Sequence, residues 1–147
     1  MDAQQIRAIA ASVRSAILAI PAAERPPVFQ NFPRGSCGWA SLLLGAILKD
    51  KGSLGFLYVC GQRNSSDRSR TISHAWLARE SLIVDITADQ FKDAPQSVIV
   101  SIASEWHRTF ELEHIEPSDF RESLGPGTYP LLAIYSTVKE LLRLSQR

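Results

Sequence analysis

Three side chains within about fifty residues could together activate a sulfur for nucleophilic attack: Cys37, His74 and Asp85. Cys37 stands in Gly35-Ser36-Cys37-Gly38-Trp39, just ahead of an apolar run from Leu42 to Leu48. His74 and Asp85 stand in two strand-like runs, Ile72-Ser73-His74-Ala75-Trp76-Leu77 and Leu82-Ile83-Val84-Asp85-Ile86-Thr87. In such a set the thiolate attacks a carbonyl carbon and the imidazole carries the proton. The carboxylate holds the imidazole in the useful tautomer.

The surrounding elements must bring the three together. A hairpin of residues 72–78 and 81–87, turning at Arg79-Glu80, sets Trp76 opposite Ile83 and His74 directly opposite Asp85. Opposed residues share a sheet face with Cβ atoms about 5 Å apart, close enough for a carboxylate–imidazole hydrogen bond. Arg79-Glu80 lacks the Gly or Asn that a tight primed turn favours, and a three-residue loop would turn Asp85 to the other face. At the cysteine end, Ser36 reads as an N-cap, and Trp39, Leu42, Leu43, Ala46 and Ile47 follow helical spacing. The spacing predicts a helix from Cys37 to about Lys49, with Gly52 just past its end. In the first turn, unpaired N–H groups and the positive end of the dipole favour a thiolate. Gly35 and Gly38 leave room for a substrate backbone. The same N–H groups supply half of an oxyanion hole, with Asn31 or Gln30 as the side-chain amide that completes it. Trp76, two residues after His74, shares its face and is expected to wall the site. Trp39 lies about 200° around the helix from Cys37 and is expected in the core. Asp89 and Gln90 follow the aspartate strand; they either read a polar substrate at the cleft rim or merely cap a turn.

A nucleophilic cysteine opening a helix, followed by His and Asp on successive strands, resembles the transglutaminase-like branch of the papain-like superfamily. That branch includes transglutaminases, arylamine N-acetyltransferases and bacterial glutamine deamidases. His74-Ala75-Trp76 resembles its histidine strand and Ile83-Val84-Asp85 its aspartate strand. The wider pattern, from Gly35-Ser36-Cys37-Gly38 to Asp85-Ile86-Thr87-Ala88-Asp89-Gln90-Phe91, is similar to small bacterial proteins of this type. It spans Phe32 to about Phe91. The resemblance implies Cys37 as nucleophile, His74 as base and then acid, and Asp85 as orienter. Asn31 has no comparable motif match.

Other readings stand beside this one. A cysteine on an apolar helix is often just buried, and a His–Asp pair across a hairpin can be a structural hydrogen bond. Cys, His and Asp also ligate zinc, but no CxxC, HxxxH or HExxH spacing supports a metal, and no cofactor is expected. Lys and Arg number 16 against 15 Asp and Glu, so the net charge of +1 gives no footing for nucleic acid or an anionic membrane. Arg63, Arg68 and Arg70 cluster in a polar stretch, read as a solvated loop or a contact for an acidic partner. No apolar stretch approaches the ~20 residues of a membrane-spanning helix. The Met-Asp-Ala-Gln-Gln start lacks signal-peptide character, and two cysteines form no disulfide framework, so the cytoplasm is the expected location.

At 147 residues, with 45% apolar and 21% charged side chains, a single domain over residues 1–147 is expected. Ile6, Ile9, Val13, Ile17 and Ile20 predict a helix from about Ala3 to Ala19, stopped by Pro21. A proline-rich connector runs from Pro21 to Pro33. Strands are expected at Gly55 to Gly61, with Cys60 as a core residue, and at Ser97 to Ile102, with a polar loop from Gly61 to Ser69. Glu105 to Phe120 is ambiguous; Trp106, Phe110 and Phe120 read as packing residues, and His107 and His114 as surface groups. Gly125-Pro126-Gly127 precedes a last amphipathic helix through Leu131, Ile134, Val138 and Leu142, with a basic end at Arg143 and Arg147. The sum is an α+β fold of papain-like, transglutaminase-like kind: a small antiparallel sheet packed on the cysteine helix and flanked by terminal helices. Two functions follow. One is a thiol-dependent acyl-transfer enzyme acting on a protein or peptide-like amide as a deamidase, transglutaminase or peptidase. The other is a binding module that keeps the fold without turnover.

Overall fold

The computed structural model describes residues 1–123 and 125–146, so Arg147 lies outside the described residues. The helix expected at the start forms as α1, Ala3–Ala19. Asp2 accepts from the Gln5 N–H while the Gln5 side chain reaches back to the Asp2 N–H, which satisfies two orphan donors. α1 buries Ile6, Ala10, Val13 and Ile17 on one face. The cysteine helix forms as α2, Cys37–Asp50, and nine consecutive residues from Ala40 to Leu48 are buried. It is apolar all round because it lies between the sheet and the other helices. Gly45 on α2 permits that closeness, since a Cβ there would stand 2.1 Å from the Ser118 carbonyl oxygen. Gly52, at φ +88, ends the helix as expected.

The sheet has five antiparallel strands: β1 Leu57–Asn64, β2 Thr71–Arg79, β3 Leu82–Asp85, β4 Ile99–Ser101 and β5 Glu111–Pro117, in the order β4-β3-β2-β1-β5. α3, Glu105–Arg108, α4, Phe120–Ser123, and the amphipathic α5, Tyr129–Ser145, complete the α+β fold. α1, α2 and α5 pack on one another, with α2 laid over β1 and β2. Alternation along β2 divides its side chains. Leu77 enters the main core with Val84 and Leu43, while Trp76 joins a smaller cluster with Val59 and Phe110.

Several sequence expectations are corrected. β1 runs on to Asn64, so the polar loop is shorter than residues 61–69. The ambiguous segment holds α3 and the edge strand β5, which is exposed along almost its whole length and so shows no burial alternation. The hairpin turns at Glu80-Ser81, one residue later than expected. Arg79 stays in β2 opposite Leu82 because its guanidinium donates to Ser53 Oγ and the Leu54 carbonyl and lies over the Phe56 ring. Glu80 takes the left-handed conformation, φ +55, in place of the Gly or Asn a primed turn favours. Continuing the observed register places Asp85 opposite Trp76 rather than His74. The shift moves the partner by two residues, which preserves the sheet face. His74 and Asp85 therefore remain on one side as diagonal neighbours.

Candidate active site

Cys37 is the first residue of α2. Gly35, at φ +68, turns the chain into the helix. Ser36 occupies the N-cap position but does not cap: its buried hydroxyl donates back to the Val28 and Arg34 carbonyls and ties down the incoming loop. The first-turn N–H groups of α2 are therefore not engaged by a side-chain cap, and they remain for the sulfur or a ligand. The β2–β3 ladder stops at Leu77, which leaves the Ala75 N–H to donate to the Cys37 sulfur. His74 and the Gln90 side chain complete the sulfur's polar surroundings.

His74 is fully buried. Its Nε2 lies 2.6 Å from Asp85 Oδ2, and its Nδ1 lies 3.2 Å from Gln90 Nε2 on the cysteine side. A carboxylate only accepts, so Nε2 carries the proton and Nδ1 is the basic nitrogen of the neutral ring. Asp85, also buried, accepts at Oδ1 from the Thr87 N–H at 2.9 Å. Its Oδ2 takes a second donor: His107 Nε2, at 2.7 Å. His107 is 2% exposed, not a surface group as its charged neighbours Glu105 and Arg108 suggested. Nothing in the sequence marks it, because α3 is a single turn with no periodicity to read.

Aromatic rings enclose the imidazole. Trp76, Phe91, Trp106 and Phe110 have centroids 5.2 to 5.8 Å from that of His74. The β1 partner of His74 is Gly61, where a Cβ would come within 3.0 Å of Phe110 Cβ and 3.2 Å of the Trp76 ring. The glycine admits those rings. Trp76 is thus packing beneath the imidazole, 2% exposed, and not an open cleft wall.

The electrostatics follow from this burial. For His74, burial opposes the charged ring, but the Asp85 carboxylate and the Cys37 thiolate outweigh it and push the imidazolium up to about 9. For Cys37, burial likewise opposes the thiolate. The bond and charge of His74, the Ala75 N–H and Gln90 together lower the thiol below its ordinary range. Burial also opposes an ionised Asp85, yet the charge of His74 and the bonds from both histidines hold its carboxyl well below the usual carboxylate range. These directions favour a thiolate–imidazolium pair over the neutral thiol and neutral ring.

No family model, curated protein or solved structure matches this chain. The chemistry must therefore be read from the side chains themselves. Cys37, His74, Asp85 and Gln90 are brought together. Gln30 and Asn31 are exposed residues of the turn ahead of α2, and the side-chain amide at the sulfur is that of Gln90 instead. Gly38 does not open space for a substrate, because a Cβ there would lie 3.0 Å from the Tyr58 hydroxyl. Asp89 is held by Arg14 of α1 at 2.8 and 3.0 Å, a structural tie in place of a substrate contact. Arg63 belongs to β1 and not to a solvated loop; it pairs with Asp93 and lies 4.5 Å from the Phe110 ring centroid.

His74, Asp85 and His107 also form a group whose donor atoms lie within 4.8 Å of one another. Both imidazole nitrogens, however, sit at hydrogen-bond distance from the same carboxylate oxygen. Ligands about 2.1 Å from a tetrahedral ion stand about 3.4 Å apart. The trio is a hydrogen-bond network. Among the described residues no helix is long and apolar enough to cross a membrane.

Proposed function

We propose that this protein is a thiol-dependent acyl-transfer enzyme of the transglutaminase-like, papain-like kind, acting in the cytoplasm on the amide of a protein or peptide. The observation that carries this is the aim of one buried ring. His74 gives Nε2–H to Asp85 and turns Nδ1 toward Cys37 and Gln90. The Cys37 thiolate attacks the amide carbonyl carbon. The resulting oxyanion is held by the first-turn N–H groups of α2 and the Gln90 amide, whose N–H is freed from Nδ1 once that nitrogen is protonated. The His74 imidazolium then protonates the leaving amine as the carbon–nitrogen bond breaks, leaving a Cys37 thioester. Neutral His74 next takes a proton from water or an acceptor amine, which attacks the thioester and releases the thiolate. The order Cys37, His74, Asp85 along the chain and the antiparallel sheet against α2 support the family reading.

Intact-mass measurement on protein incubated with glutamine-containing and amide-capped peptides tests this. An acyl adduct on Cys37, with release of ammonia or amine and absent in Cys37→Ala, is expected. Across a broad peptide set, no adduct on a thiol that alkylates rapidly would instead favour the binding-module function.

A further inference from the structure

Asp85 must stay ionised where almost no water reaches it, yet His74 supplies only one donor to Oδ2, and that donor changes its own charge during turnover. The second donor is His107, 2.7 Å away on the same oxygen. His107 is itself fixed from behind. Its Nδ1 faces the Ser104 hydroxyl, and its backbone N–H donates weakly to that same oxygen at 3.4 Å. With Ser104 Oγ–H donating to Nδ1, the proton of the neutral ring is confined to Nε2, aimed at Asp85. Trp76 and Trp106, each with its centroid 4.8 Å from the His107 ring, hold the imidazole in plane. A packing residue would need neither nitrogen engaged; here both are.

We propose that His107 is a positioning residue of the thiol site, the permanent donor that keeps Asp85 ionised and oriented while His74 cycles between its two charge states. The chain of contacts runs Ser104, His107, Asp85, His74, Cys37, and only the last two move a proton. The proposal rests on the thiolate–imidazolium pair of the preceding subsection but not on any particular substrate. The titratable groups facing Asp85 are His74 from β2 and His107 from α3. Cys37 of α2 lies beyond His74, and Arg63 of β1 lies behind the aromatic rings.

Loss of a donor to a buried carboxylate favours its protonated form. A protonated Asp85 cannot sustain the His74 imidazolium, and Cys37 then loses its counter-ion. Removing His107 should therefore move the acid limb of Cys37 reactivity to higher pH. The test is the second-order rate of Cys37 alkylation by iodoacetamide across pH in the full chain, with Cys60→Ser in the background. In His107→Phe, which keeps a ring but no nitrogen, the acid limb should rise by about one to two pH units, the range expected for one charge-assisted hydrogen bond. His107→Gln, whose side-chain N–H can reach the position of Nε2, should return the limb toward its original place. Ser104→Ala leaves the ring packing intact and should shift the limb in the same direction by a smaller amount, which keeps the test available if the Phe variant does not fold. A lowered melting temperature with unmoved limbs in the variants that fold would overturn the proposal and leave His107 as packing. Because alkylation needs no substrate, that outcome is distinct from a failure to find acyl transfer.

Discussion

Asp85→Asn is the most informative single change, because it alters one atom and leaves the shape. In the native site Oδ2 accepts from two imidazole N–H groups and Oδ1 from the Thr87 N–H. An asparagine offers one acceptor and one NH₂, so the NH₂ confronts the Thr87 N–H if placed at Oδ1 and both imidazole N–H groups if placed at Oδ2. Keeping the Thr87 bond puts the NH₂ at Oδ2. His74 relieves the clash by adopting the other tautomer, with the proton on Nδ1, and then presents a donor where it must accept. The rise of His74 from 6.5 to about 9 amounts to about 3 kcal/mol of preference for the charged ring, and most of it is lost with the carboxylate. Without the imidazolium, burial returns the Cys37 thiol to its ordinary range or above, and the thiolate fraction at neutral pH falls to a few per cent or less. Alkylation near pH 6 should slow by about 10² or more, and turnover by about 10⁴, the loss recorded when a triad aspartate becomes an amide. Rapid-mixing iodoacetamide kinetics over a pH series, with a melting curve to show retained fold, measures this. Native-like alkylation at pH 6 in a folded Asp85→Asn protein would refute the tautomer reasoning.

Gln90→Ala should lower kcat and kcat/KM together by about 10²-fold, the usual loss of one oxyanion donor; a change in KM alone would make Gln90 a binding residue. At neutral pH iodoacetamide should label Cys37 about tenfold or more faster than Cys60, because burial and the neighbouring Cys37 charge push the Cys60 thiol up; peptide mapping of a partial reaction decides it. Gly45→Ala drives a methyl group into the Ser118 carbonyl and should cost about 2–3 kcal/mol, read as a lower urea midpoint at unchanged slope; an unchanged midpoint would show that the segment around Ser118 yields freely. As pH falls, stability should be lost through Asp85. Its folded value is depressed, so its contribution is present above the ordinary carboxylate range and disappears as the folded value is approached. An acid-unfolding curve steeper in the native chain than in Asp85→Asn checks the sign.

The parts of the site carried by periodic elements were legible in the sequence. Isoleucine and valine spacing marked α1 to its end residues, and apolar spacing after Cys37 marked α2. Alternation in the hairpin placed His74 and Asp85 on one face. The register was not legible, because the turn position is decided by Arg79 reaching Ser53 and Leu54, groups more than twenty residues away. Gln30 and Asn31, the amides that precede Cys37 in the chain, are exposed in the turn ahead of α2. The amide beside the sulfur is that of Gln90, from the short 3-10 turn Ala88–Gln90 that follows the aspartate strand. His107 and the ring enclosure of Trp106 and Phe110 come from a segment holding one helical turn and an exposed edge strand. Neither leaves a pattern in the sequence, and only the folded chain brings those rings to His74.

The thiolate absorbance of Cys37 as a function of pH, in Cys60→Ser protein with and without His74→Ala, tests the central claim most directly. With His74 present, the Cys37 thiolate should form below the ordinary thiol range; with His74→Ala it should appear only at or above that range. Superimposable titrations, both at the value of an unperturbed thiol, would contradict a thiolate–imidazolium pair and with it the proposed enzyme.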